Sequence, residues 1–120
     1  MPVPAKPYPR TPAEVEPYVA ILGVDLGIQF LLTFGGAEMY IPRNPKTRSR
    51  VAALVGAEKT AELAQSDYLL PRRVPLVTPW LSACLHVQGW NLADIARRLR
   101  VTDVTVRKHL NRYGMRGNGP

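Results

Sequence analysis

Cysteine and histidine are nearly missing: the 120 residues hold one Cys and two His. No disulfide can close within the chain, and a structural zinc site, which takes four such ligands, cannot be assembled. Acidic residues are also scarce, 9 against 16 Lys and Arg, for a formal net charge of +7. A small chain this basic usually meets a polyanion, either nucleic acid or an anionic membrane. Long apolar runs are absent too. The most apolar stretch, residues 19–37, is broken by Asp25, Gln29 and the glycines Gly23, Gly27, Gly35 and Gly36, whereas a spanning helix needs about 20 apolar residues with few charges. The first residues lack the apolar core of a signal peptide, so a soluble, cytoplasmic protein with no membrane partner is expected. Carboxylate pairs, nucleophile triads and phosphate loops are not visible. That argues against an enzyme and implies no cofactor, no metal and no catalytic residue.

What remains is ordinary globular material, 46% hydrophobic and 21% charged, enough for one domain or two very small modules. The prolines Pro2, Pro4, Pro7, Pro9 and Pro12 predict an extended arm over residues 1–12. Thr11 as N-cap, Pro12 at the first helical position and Glu14 predict a helix running to about Leu22, with Gly23 as its stop. A second helix is expected over Asp25–Thr33, ended by Gly35-Gly36, and then a short strand, Glu38–Ile41, closed by Pro42. The pattern Leu22-Gly23-Val24-Asp25, helix, Tyr40-Ile41-Pro42-Arg43 returns as Val55-Gly56-Ala57-Glu58, helix, Leu69-Leu70-Pro71-Arg72. This reads either as a degenerate internal repeat or as two unrelated helix–loop segments that share a Gly and a Pro. Between the copies, Arg43, Lys46, Arg48 and Arg50 form an acid-free stretch, either a solvated loop or a phosphate-contacting arm.

From Val77 the character changes to three closely spaced helices. Thr78 with Pro79 behind it predicts the start of the first, Trp80, Leu81, Cys84, Leu85 and Val87 supply its apolar positions, and Gly89 stops it. Asn91 caps the second, with Asp94 at its third position and Leu92, Ile95, Ala96 and Leu99 as the buried stripe. Thr102 caps the third, whose inward face is Val106, His109, Leu110 and Tyr113. Residues 92–112 therefore match a helix-turn-helix pattern. Ala96 is small where two helices cross, Val101 plugs the turn, and Val106 with Leu110 anchors the recognition helix. Its outward set is Asp103, Val104, Thr105, Arg107, Lys108, Asn111 and Arg112, which together with Arg97 are the candidate DNA-binding residues. Basic side chains would hold phosphates while Asp103, Val104, Lys108 and Asn111 meet base edges. The turn residue before Val101 is Arg100. Either it takes a positive φ, at a cost of about 1 kcal/mol, or the turn adopts another geometry. Charge follows the same division, because residues 88–120 carry +5 and the rest of the chain only +2. Cys84, Trp80 and Trp90 read as core, and Cys84 and His86, two apart on a helix, cannot share a metal.

Two stretches together resemble the Mor/C family of phage middle- and late-operon transcription activators. One is Gly35-Gly36 followed by Tyr40-Ile41-Pro42 and Arg43; the other is Gly89-Trp90-Asn91, then Ile95-Ala96-Arg97 and the recognition helix. The resemblance implies that Gly35, Gly36, Tyr40, Ile41 and Pro42 belong to a dimerisation module. It also implies that the protein binds double-stranded promoter DNA as a homodimer and meets RNA polymerase. Between Pro42 and Thr78 the sequence departs from that family by inserting the second copy. Pairing is then open: between chains, or within one chain with Tyr40-Ile41 against Leu69-Leu70. The expected architecture is mainly α, with short β-strands in the N-terminal module. It comprises an arm (1–12), a Mor-like module with an internal repeat (13–76), a helix-turn-helix domain (77–113) and a flexible tail (114–120). The expected function is a sequence-specific transcription regulator of phage or mobile-element type. The rivals are a protein-interaction factor built on the same scaffold and a non-regulatory DNA binder.

Overall fold

The computed structural model describes residues 8–38, 45–66, 70 and 73–115. Among these the protein is helical, with seven helices and no strand. The described residues divide into two compact units, Thr11–Leu76 and the residues from Val77 onward together with residues 8–10.

The N-terminal unit holds α1 (Glu16–Leu22), α2 (Val24–Phe34), α3 (Pro45–Val55) and α4 (Ala57–Gln65). Helix α1 starts a turn later than Thr11 suggests. The amides of Val15 and Glu16 both donate to the Pro12 carbonyl, at 2.9 and 3.1 Å, and the helix begins beyond that turn. Pro17 explains the delay: without an N–H it fits only in a first turn, and that is where it sits. A single residue, Gly23, then separates α1 from α2. Its φ of 82° and ψ of 162° lie where a side chain is not tolerated. Its N–H closes α1 on the Val19 carbonyl (2.8 Å) while its own carbonyl accepts the first α2 bond from Gly27 (2.9 Å). Gly56 repeats the arrangement between α3 and α4, with φ 89° and ψ 158°. Its N–H donates to Ala52 O at 2.8 Å and its carbonyl accepts from Thr60 at 3.0 Å.

Apolar packing follows the same pattern. Tyr18 of α1 stacks on Phe30 of α2 (centroids 5.4 Å apart), which meets Phe34 one turn on in the same helix (5.0 Å), while Val51, Val55 and Leu63 are buried from α3 and α4. Helix α3 occupies much of what reads in the sequence as a basic loop. Its weak apolar signal rests on Val51 and Val55 near one end, so periodicity alone does not reveal it. Of the short strand expected over Glu38–Ile41, only Glu38 lies among the described residues, and it is in no strand. Instead Glu38 forms an isolated antiparallel bridge with Arg73, supported by Gly36 N to Val74 O (2.7 Å) and Val74 N to Ala37 O (2.9 Å).

The C-terminal unit packs α5 (Thr78–Val87), α6 (Leu92–Leu99) and α7 (Asp103–Arg112) against one another. Helix α5 is its spine, with Trp80 to Leu85 buried without interruption. Thr78 does not cap it; the cap position is Val77, held in the left-handed region at φ 38° and ψ 44°. Residues 8–10 belong to this unit. The indole N–H of Trp80, a buried donor needing an acceptor, donates to Pro9 O at 3.2 Å, and Gln88 Nε2 donates to the Tyr8 hydroxyl at 3.1 Å. The described end of the proline-rich arm is thus docked.

Candidate nucleic-acid interface

Helix α6 is opened by Asn91, whose side chain accepts from the Asp94 amide at 2.8 Å. Asp94 in turn pairs with Arg97, three residues on. Three residues, Arg100 to Thr102, then carry the chain into α7. Arg100 does take the left-handed conformation, φ 58° and ψ 45°, so the Val101 amide reaches back to the Ala96 carbonyl at 3.0 Å and ties up a carbonyl that the helix end would orphan. Thr102 caps α7 by accepting from the Thr105 amide at 3.1 Å, and the two hydroxyls meet at 2.9 Å.

The turn and cap fix which face of α7 is presented. Val106 and Leu110 are buried against α5 and α6, together with Leu92, Ile95 and Ala96. Asp103, Val104, Arg107, Lys108, Asn111 and Arg112 are exposed, as is Arg97 on α6. Val104 stands out as a large apolar side chain 53% exposed on a helix whose other apolar residues are buried. Thr105 differs from the rest of the candidate set, because it is half-buried and its hydroxyl is used in the cap.

A polar contact across the core is not visible in the local sequence pattern. Buried Ser82 donates to the Thr78 carbonyl (2.9 Å), and its oxygen lies 3.1 Å from His109 Nδ1. With the serine proton committed to Thr78, the imidazole Nδ1–H is the donor. Twenty-seven residues separate the two, so only the packing of α5 on α7 reveals the pair. Burial, with the Arg112 charge adding to it, holds the His109 pKa below its ordinary value. Burial likewise drives the Cys84 thiol far above the usual range, leaving it protonated and unsuited to nucleophilic work. No cluster of three metal-ligating side chains occurs among the described residues, and no helix among them is long and apolar enough to cross a membrane.

Of the residues assigned to dimerisation, Gly35 and Gly36 are described, while Tyr40, Ile41 and Pro42 lie outside the described residues. The glycine pair packs within its own chain. A Cβ on Gly35 would fall 2.6 Å from the Leu31 carbonyl oxygen, and one on Gly36 would meet Leu76 Cδ2 at 3.4 Å. Arg73 adds a bond from Nη1 to Gly36 O at 2.9 Å and an exposed ion pair with Glu38. The candidate DNA-binding residues thus share one unit, and the described dimerisation residues lie in the other. No protein-family model, no curated protein and no solved structure matches this chain.

Proposed function

We propose that α5 to α7 form a helix-turn-helix domain and that the protein is a sequence-specific DNA-binding transcription regulator of the Mor/C kind, of phage or mobile-element origin, acting on promoter DNA as a dimer. One observation carries the reading: α7 turns six polar, charged or solvent-facing side chains outward from a stripe of two buried anchors, directly after a three-residue turn. In the major groove, Arg107 and Arg112 would take phosphates, while Lys108 and Asn111 would donate to base edges. Val104 would lie against a thymine methyl, and Asp103, which repels phosphate, would accept from a cytosine amino group. Contact with RNA polymerase belongs to the same proposal.

Selection of bound sites from random duplexes, read at two salt concentrations, tests it. A defined site with strong salt dependence is expected. Failure to bind any duplex at low salt would favour a protein partner for the same face.

A further inference from the structure

We infer that the exposed face of α3 is a second duplex-DNA contact surface, separate from α7. It goes beyond the role proposed for α7 and rests on that reading only for the choice of duplex DNA as the polyanion. Lys46, Arg48 and Arg50 are all exposed on α3, and the helix contains no acidic residue.

The protein supplies its own comparison. Gly23 and Gly56 occupy the same backbone conformation, and aligning them pairs Tyr18 with Val51, Leu22 with Val55, Gly27 with Thr60 and Phe30 with Leu63, every one of them buried. These four pairs are alike in burial, whereas buried Ile28 pairs with exposed Ala61 in the same register. Charge differs: residues 13–17 of the first copy carry Glu14 and Glu16 and no cation, where the second carries Lys46, Arg48 and Arg50 and no acid. In that register Lys46, Arg48 and Arg50 stand opposite Ala13, Val15 and Pro17, and exposed Arg48 takes the place of fully buried Val15, so the cations of α3 are not demanded by the packing the two segments share. Nor does the helix gain from them, since positive charge in a first turn opposes the helix dipole. Arg50 lies with Cζ 5.8 Å from the Phe34 ring centroid, within cation–π range, and is itself an exposed residue. Arg48 borders an open cleft of about 260 Å³ lined also by Ser49, Ala52, Ala57, Thr60 and Ala61.

The test uses the full chain and a random-sequence duplex in a salt titration. Each lost phosphate contact flattens the slope of log K against log salt by about 0.9. K46Q/R48Q/R50Q should therefore flatten it by about 2 to 3, weaken binding about tenfold or more near physiological salt, and leave the selected base preference unchanged. Adding E14Q/E16Q, which returns two of the three charges elsewhere, should not restore binding; recovery would show that only net charge matters and overturn the proposal. An unchanged slope in the α3 variant, with binding lost in R107Q/K108Q/R112Q, would overturn it while leaving the α7 reading intact. Loss in the α3 variant with binding kept in the α7 variant would do the reverse. Binding to phosphatidylserine vesicles that disappears in the α3 variant, while its duplex slope stays wild type, would assign the face to a lipid surface instead. Thermal melts accompany each variant. Should replacing Arg50 unfold the unit, K46Q/R48Q carries the test with an expected flattening of about 1 to 2.

Discussion

Single residues carry the least expected costs in this protein. Gly27 is a buried interior residue of α2, and a Cβ there would sit 3.5 Å from Val19 Cγ2, an ordinary contact. Gly27→Ala should raise stability by about 0.5 to 1 kcal/mol in urea unfolding, through helix propensity and a less flexible unfolded chain. Gly23→Ala should lower it, although nothing lies within 4 Å of its added methyl, because the φ of 82° itself forbids the side chain. Arg100 pays a similar penalty on a smaller scale. Arg100→Gly should stabilise the C-terminal unit by about 0.5 to 1 kcal/mol, the relief of left-handed strain less the entropy of glycine. His109 adds a pH dependence. Its folded pKa lies below that of the unfolded chain, so the native state disfavours the extra proton and full stability holds above the unfolded value of about 6.5. As pH falls from about 7.5 to 5.5 the melting temperature should drop, and His109→Gln should remove that part of the drop.

At the level of elements, α7 divides into anchors and an outward face that substitutions can tell apart. Val106→Ala should destabilise the protein by about 1 to 3 kcal/mol through the cavity left under the helix. Lys108→Ala should leave the melt unchanged and cost about 1 to 3 kcal/mol in DNA affinity, with relaxed preference at one base pair. A specificity matrix beside each melt separates the two, and a shifted melt for Lys108→Ala would mean that α7 is turned the other way. The elements most legible in the sequence were those with their own caps. Asn91 and Thr102 mark α6 and α7 because each supplies an oxygen to an amide three residues on, and α2 lies within a residue of its expected bounds at both ends. Boundaries set by something other than a cap were not legible. Pro17 displaced the start of α1, and a strained Val77 displaced the cap from Thr78. The bridge of Glu38 with Arg73 depends on a partner 35 positions away. On the candidate face, outward positions followed from the buried stripe, but the diversion of Thr105 to the cap follows from a hydroxyl geometry that periodicity does not encode.

For the whole molecule the dominant quantity is charge, +7 over 120 residues. A dimer making about 6 to 10 phosphate contacts should lose some three to five decades of duplex affinity between about 50 and 200 mM salt. Fluorescence anisotropy across that range checks it, and a flat response would rule out phosphate contacts as the source of binding. The docking of residues 8–10 has a consequence for how the molecule is made. The chain leaves the C-terminal unit after Arg10 and re-enters it at Val77, so the four-helix unit is an insertion within a loop of the other. On a ribosome that inserted unit can complete itself first, while Pro9 waits for a tryptophan 71 residues downstream. Folding it then shortens the loop that must close, and so raises the effective concentration of Pro9 at the Trp80 indole.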